Sequence, residues 1–291
     1  MRPLTKPATL QQADSASPDG AGQGGRSARR EFRPDIEGLR AVAVLAVVLF
    51  HAEVPGVGGG YIGVDVFFVI SGFLITGLLW REVRTAGTVR LRRFYGARAR
   101  RLLPASATVG VITAIGAAVL LPPFQARTVI GDGIASAFYV GNYRFVLQGV
   151  DYLTPYMPPS PFQHYWSLGV EEQFYLVWPA LIIGTAWLIR LIRRLRRRTR
   201  THVTSSQTPY LVVLALVGAV SFTLSLAVTY WIPSVAFFSL PTRAWQLAVG
   251  GLVALTAGQW RRLRPIPAAI AGWGGLALIL LACTQLSTTT L

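Results

Sequence analysis

The sequence is poor in residues that build disulfides and metal sites. It contains one cysteine, Cys283, and only three histidines in 291 residues. The lone cysteine lies in an apolar run and excludes an internal disulfide. The histidines (His51, His164 and His202) form no cluster with metal-ligand spacing, so we expect no bound metal. Walker, G-x-S-x-G and dinucleotide-binding motifs are also absent, which removes three common signatures of soluble enzymes.

Charge is also scarce, and negative charge most of all. Charged residues make up 14% of the chain, with 12 acidic against 28 basic residues, while 52% is hydrophobic. Several apolar runs approach the roughly 20 residues that a bilayer requires, so we predict an all-α, polytopic transmembrane helical bundle. The arginines cluster between apolar runs, which is typical of cytoplasmic loops rather than of a nucleic-acid-binding face. We therefore expect no nucleic-acid partner.

The order of apolar and basic segments predicts about seven spans. They lie at about 37–54, 61–80, 105–122, 164–188, 210–231, 239–257 and 266–284. The basic segments 81–101 and 190–200 are cytoplasmic by the positive-inside rule. Parity then leaves 127–148 at the outer face as one interfacial or re-entrant helix. A pore-lining full span is the alternative for that segment.

The N-terminal segment differs in composition from the rest of the chain. Residues 1–30 are rich in Gly, Ser, Ala, Gln and Pro, show no apolar periodicity and predict a disordered tail. No apolar signal-peptide core follows Met1. Arginines between 26 and 33 place this end in the cytoplasm. The predicted division is a cytoplasmic tail, 1–30, and a transmembrane domain, 31–291, in the inner or plasma membrane.

The first two spans each carry polar residues on one face. Arg40 and His51 are eleven residues apart, so they share a face roughly 16 Å apart along the helix. Ionisable residues in a membrane helix are costly and indicate a functional site, although a histidine bonded between helices is the structural alternative. In the second span Asp65, Gly72 and Thr76 share a face, and Gly72 is small enough to let another helix approach closely.

The span near 164 begins with a second polar group. Ser167, Glu171 and Tyr175 recur at helical spacing, and His164 precedes them by one turn. By parity, Glu171 and His51 both lie in the outer half of the bilayer. Such a pair suits general-base catalysis, with the acid orienting and charging the imidazole. The alternative is an interhelical ion pair from Glu171 to an arginine.

Two arginines mark a third candidate site. Arg98 and Arg101 lie just before the span that starts near 105, where a helix N-terminus would favour anions. Arginine pairs clamp phosphates through bidentate hydrogen bonds. A phosphate-bearing ligand could thus bind at the cytoplasmic mouth, with Arg40 nearby and His51 above it. Basic residues that only set the orientation of the chain are the alternative.

Together these stretches resemble the membrane acyltransferase 3 family, the polysaccharide O-acyltransferases of bacteria. The resemblance covers about residues 32–257, and the combination is specific although each piece alone is weak. The matching pieces are 35–40 with His51, 63–76, Phe94-Tyr95 with Arg98 and Arg101, Trp166-Ser167-Leu168 through Glu171, Gln173, Phe174 and Tyr175, and more weakly 242–247.

The resemblance implies transfer of an acyl group, usually acetyl, from cytoplasmic acyl-CoA to a hydroxyl of an extracytoplasmic or membrane-associated carbohydrate. Acyl-CoA would be a co-substrate, with no bound cofactor. By similarity His51 is catalytic with Glu171 assisting, Arg40 is its paired basic position, and Arg98 and Arg101 match an Arg-x-x-Arg motif that serves the CoA phosphates. The supporting positions are Asp65, Ser71, Trp166, Ser167 and Gln173.

Two departures from the family pattern stand out. Gln246 replaces a common glutamate, and we assign it no role. The family's membrane domain usually has about ten spans, so we expect a chain of about seven to be C-terminally truncated. Two other functions stay open: a non-enzymatic carrier of acyl groups or glycolipid, in which His51 and Glu171 relay protons, and an inactive truncated homologue that pairs with another subunit.

Overall fold

A computed structural model describes residues 33–150, 158–195 and 207–286, and these ranges contain helices but no strand. The predicted tail 1–30 and His202 lie outside the described residues. The helices are α1 (Pro34–His51), α2 (Ile62–Ala86), α3 (Leu91–Leu120), α4 (Pro123–Ala137), α5 (Gly141–Leu147), α6 (Tyr165–Leu195), α7 (Thr208–Trp231), α8 (Pro233–Phe238), α9 (Leu240–Trp260) and α10 (Pro265–Gln285).

Five of the described helices are long and apolar enough to cross a bilayer, namely α2, α3, α6, α7 and α10. The predicted class, an all-helical multi-pass membrane protein, is confirmed. The predicted count of about seven spans is not reproduced, because α1 and α9 are not among these five helices. Helix α1 carries three charged residues, Asp35, Glu37 and Arg40, in its first two turns. Helix α9 contains Arg243 and a buried Gln246.

The segment predicted to stay at the outer face forms two short helices. Helix α4 has 15 residues and α5 has 7, and neither reaches the roughly 20 residues of a span. A single full span over 127–148 is therefore wrong. Buried Asp132 joins the two helices by accepting hydrogen bonds from Arg144 Nε at 2.6 Å and from Gln148 Nε2 at 2.8 Å.

Helix α3 starts earlier than the sequence predicts. It begins at Leu91 and continues through Pro104, so the basic segment is helical rather than a linker. Arginine, alanine and leucine are strong helix formers, which accounts for the extension. Arg98 and Arg101 consequently lie in the helix interior. The prediction that they sit at a helix N-terminus, with its favourable field for anions, is wrong.

Helices α2 and α9 cross in close backbone contact. A Cβ atom built at Gly72 would collide with the carbonyl oxygen of Leu247, and one at Gly250 would collide with the carbonyl oxygen of Val69. The predicted close approach at Gly72 is confirmed. Small residues permit such crossings because no side chain separates the two backbones. The crossing fixes α2 at the centre of the bundle, with α9 between α2 and α7.

An aromatic core attaches α6 to this crossing. Trp178 and Trp166 are almost fully buried, together with Phe68 of α2 and Phe238 of α8. Buried indole groups need a hydrogen-bond partner. Trp178 donates its Nε1–H to Thr76 Oγ1 of α2 at 2.9 Å. Helices α2 and α6 are thereby held side by side, and this arrangement forms two walls of the candidate site.

Candidate active site

Helices α1, α2 and α6 line a half-open cavity of about 280 Å³ that brings together residues from three separate sequence motifs. Its wall is mostly apolar with a few polar groups, as is typical of ligand sites. Among the described residues, no group of three His, Cys, Asp or Glu side chains could hold a metal ion. The lining residues that bear on chemistry are His51, His164, Ser167, Glu171, Trp166 and Phe68.

The imidazole of His51 is oriented by the backbone of its own helix. His51 ends α1 and donates its Nδ1–H to the carbonyl oxygen of Val47 at 2.8 Å. Because a carbonyl oxygen can only accept, Nδ1 carries the proton and Nε2 carries the lone pair of the neutral ring. The sequence prediction gave this orienting role to Glu171. In the structure, the carbonyl group of Val47 orients the imidazole through its contact with Nδ1.

The carboxylate of Glu171 is held by two neighbouring hydroxyl groups. Ser71 Oγ donates to one oxygen at 2.7 Å, and the Tyr175 hydroxyl reaches the other at 3.4 Å. Ser71, predicted as a supporting residue, therefore contacts the predicted acid directly. The interhelical ion pair considered for Glu171 is formed by its neighbour instead. Glu172 accepts two hydrogen bonds from Arg98, from Nε at 3.2 Å and from Nη2 at 2.8 Å.

Arg98 lies between an acid and an aromatic ring of α6. Its guanidinium carbon is 3.4 Å from the ring centroid of Tyr175, while Glu172 binds its nitrogens. Glu172 adjoins Glu171, which bonds Ser71 of α2, so Arg98 lies level with the first half of α2. Its predicted place at the cytoplasmic mouth stays a prediction. The sequence analysis missed Glu172. Its spacing of three residues from Tyr175 places both on one helix face and could have indicated it.

The other predicted arginines have different surroundings. Arg101 is exposed on α3, three residues after half-buried Arg98. Arg40 donates from Nη1 to both carboxylate oxygens of Glu37, at 3.0 and 3.1 Å. It lies near the start of α1, whereas His51 ends that helix. Arg40 and His51 thus lie in opposite halves of α1. The roles of Arg40, Arg98 and Arg101 in binding acyl-CoA stay predictions.

A second cluster of polar side chains lies next to Trp166, which lines the cavity. Asp65 Oδ1 accepts hydrogen bonds from Arg243 Nη1 and from Gln246 Nε2, each at 2.8 Å. The Arg243 guanidinium carbon lies 5.7 Å from the ring centroid of Trp166. Asp65 is thereby joined to α9, and its predicted supporting role stays a prediction. Gln246 was assigned no role, yet its amide supplies Asp65 with a hydrogen-bond donor, which a carboxylate in its place would lack when ionised.

Gln173, also predicted as a supporting residue, joins α5 and the turn before it to α6. Its Nε2 donates to the carbonyl oxygen of Tyr139 at 2.7 Å and to Asn142 Oδ1 at 2.9 Å. Asn142 is fully buried and donates in turn to the carbonyl oxygen of Phe238 at 2.9 Å. Buried amides need such partners. The contacts of Gln173 are thus structural and lie behind the cavity.

Comparison with known proteins identifies the family. The family model described as an acyltransferase domain matches residues 33–289, a range that contains all of the described residues. The chain belongs to the acyltransferase 3 family. This confirms the resemblance that the motifs indicated. No solved structure matches the chain.

Curated relatives of this acyltransferase 3 chain are bacterial O-acetyltransferases. Peptidoglycan O-acetyltransferase OatA of Listeria monocytogenes is 36% identical over 240 residues, which cover 81% of this chain and 36% of the relative. Putative peptidoglycan O-acetyltransferase YrhL of Bacillus subtilis is 33% identical over 230 residues, or 79% of this chain and 34% of the relative. The chain thus spans about a third of the length of these two relatives.

Proposed function

We propose that this chain transfers an acetyl group from cytoplasmic acetyl-CoA to a hydroxyl of peptidoglycan or a similar extracytoplasmic carbohydrate. The observation that carries the proposal is the shared cavity of His51 and Glu171, in which the fixed Nδ1–H of His51 leaves Nε2 as a base. The names of the relatives support the acceptor class. Acetyl-CoA as donor comes from the motif resemblance.

The proposed topology has seven spans with a cytoplasmic N-terminus. Helices α1 and α9 are the two spans that this topology adds to the five apolar helices. Helix α9 packs between α2 and α7 and buries much of its surface in protein, so it does not need a strongly apolar lipid face. In this orientation the end of α1 and the start of α6 lie toward the outer face, and the basic start of α3 faces the cytoplasm.

In the proposed reaction, His51 Nε2 takes the proton of the acceptor hydroxyl while that oxygen attacks the thioester carbonyl carbon. The carbon–sulfur bond breaks, and the CoA thiolate recovers a proton from the imidazolium, so His51 returns to its neutral form. Glu171 contributes a negative field in the same cavity that stabilises the charged imidazolium. Ser71 holds that carboxylate in place at 2.7 Å.

The test uses inverted membrane vesicles that contain the chain, with acetyl-CoA labelled in the acetyl group added to the exposed cytoplasmic face. We expect the label to appear as base-labile acetate on carbohydrate inside the vesicles. Vesicles without the chain are the control. A non-enzymatic carrier would move label without forming an ester, and an inactive homologue would do neither, so either result would reject the proposal.

Two variants of Tyr175 test the roles of Glu171 and Arg98 separately, because its hydroxyl contacts the first and its ring contacts the second. Tyr175→Phe removes the hydroxyl that reaches Glu171 but keeps the ring beneath Arg98. We expect kcat to fall about threefold with an unchanged KM for acetyl-CoA, because one neutral hydrogen bond is lost. Tyr175→Leu also removes the cation–π contact, so KM should rise as well. Equal effects of the two variants on both constants would contradict this division.

A further inference from the structure

The cavity contains a second imidazole that the proposed reaction does not use. His164 lies one residue before α6 and lines the same cavity as His51. Glu171 is seven residues further along, roughly 10 Å deeper along the helix axis. Both histidines therefore lie at the end of the cavity where α1 ends and α6 begins. Arg98 and Glu172 lie beyond Glu171, away from this end.

The ring of His164 is arranged to accept a hydrogen bond. The ring of His164 packs against that of Tyr165, with 4.7 Å between the two ring centroids. Partial burial, with a smaller contribution from nearby His51, lowers the pKa of His164, so the ring is neutral near pH 7. A neutral imidazole carries a proton on one nitrogen and a lone pair on the other, so the ring can accept one hydrogen bond.

The surroundings of His164 suit a sugar ring. Half-buried Phe67 supplies aromatic surface to the cavity, fully buried Phe68 and Trp166 pack behind it, and Glu171 supplies a deeper polar group. A sugar presents an apolar C–H face together with several hydroxyl donors, so it matches a mostly apolar wall with a few placed acceptors. A phosphate or carboxylate would instead need a donor or a cation at this end.

We propose that His164 is an acceptor-binding residue, whose lone-pair nitrogen accepts a hydrogen bond from a second hydroxyl of the carbohydrate. The hydroxyl that is acetylated faces His51, and the hydroxyl bound by His164 orients the sugar. This inference rests on the proposed acyl transfer and names the residue that selects the acceptor. His164 does not take a proton in the reaction, because a charge on His51 disfavours a second charge beside it.

The test measures steady-state transfer to a soluble oligosaccharide of N-acetylglucosamine and N-acetylmuramic acid, and to analogues that each lack one hydroxyl. We expect His164→Ala to raise KM for the oligosaccharide about fivefold, with kcat and KM for acetyl-CoA nearly unchanged. His164→Asn retains an acceptor oxygen and should recover part of the loss. With the analogue that lacks the bound hydroxyl, wild type and His164→Ala should have the same KM.

Two outcomes would overturn the inference: a fall in kcat at unchanged KM, which would show that His164 handles protons, or unchanged constants for every acceptor. Equilibrium binding of the oligosaccharide without donor separates this inference from the proposed function. If wild type transfers no label but binds the oligosaccharide more tightly than His164→Ala does, the proposed function fails and the subsite stands. Thermal unfolding of each variant shows whether the fold is intact.

Discussion

Replacing His51 with alanine is expected to lower the rate of acetyl transfer about a thousandfold, the usual contribution of a general base. The carbonyl group of Val47 fixes the His51 ring through Nδ1, so Nε2 is the nitrogen that can take the hydroxyl proton. Asparagine at this position should not restore the rate, because an amide is not basic. The measurement is ester-linked acetate formed per minute in inverted vesicles supplied with labelled acetyl-CoA.

The matched control is Leu45→Ala, a substitution on the exposed side of the same helix. Leu45 has 58% of its surface exposed and does not line the cavity. Its variant should transfer acetyl groups at close to the wild-type rate. A His51→Ala variant with an unchanged melting temperature that keeps more than about a tenth of the wild-type rate would show that another group acts as the base.

The second large effect is expected at the crossing of α2 and α9. Gly72→Ala should lower the free energy of unfolding by about 1–3 kcal/mol, because the added methyl group collides with the backbone of Leu247 and forces the helices apart. Transfer should fall as well, since α2 supplies Ser71 and one cavity wall. Loss of tryptophan fluorescence on heating in detergent reports the change in melting temperature.

Gly77→Ala on the same helix is the control for Gly72→Ala. A Cβ atom at Gly77 would lie 3.9 Å from the Cβ of Ala254, an ordinary contact. Because alanine is the better helix former by about 1 kcal/mol, this variant should be as stable as wild type or more so. A loss of stability at Gly77 equal to that at Gly72 would indicate a general effect of glycine replacement and not the close crossing.

Some parts of the site follow from helical periodicity within one element. The spacing of Ser167, Glu171 and Tyr175 places them on one face of α6, and the structure brings Tyr175 to Glu171. Gly72 lies among apolar residues and predicts a close contact with another helix. The structure shows that contact with α9. These predictions succeed because a single helix has a fixed geometry, so spacing alone determines which side chains are neighbours.

Other parts could not be predicted from spacing. Arg98 and Glu172 are 74 residues apart, and Asp65 and Arg243 are 178 apart. Periodicity says which residues share a face but not which helix that face meets. For the same reason the sequence analysis gave Gln246 no role, although it is the second donor to Asp65. The count of spans also depends on packing, because a helix enclosed by others can be less apolar than one that faces lipid.

The sequence by itself determined the membrane class, the helical fold and membership of the acyltransferase 3 family, because hydropathy and short motifs are local properties of the chain. Only the tertiary structure decided that His51, His164 and Glu171 share one cavity and that Glu172 binds Arg98. Those contacts depend on how helices distant in sequence are rotated against one another. That rotation is set by the α2–α9 crossing and by the aromatic core between α2 and α6.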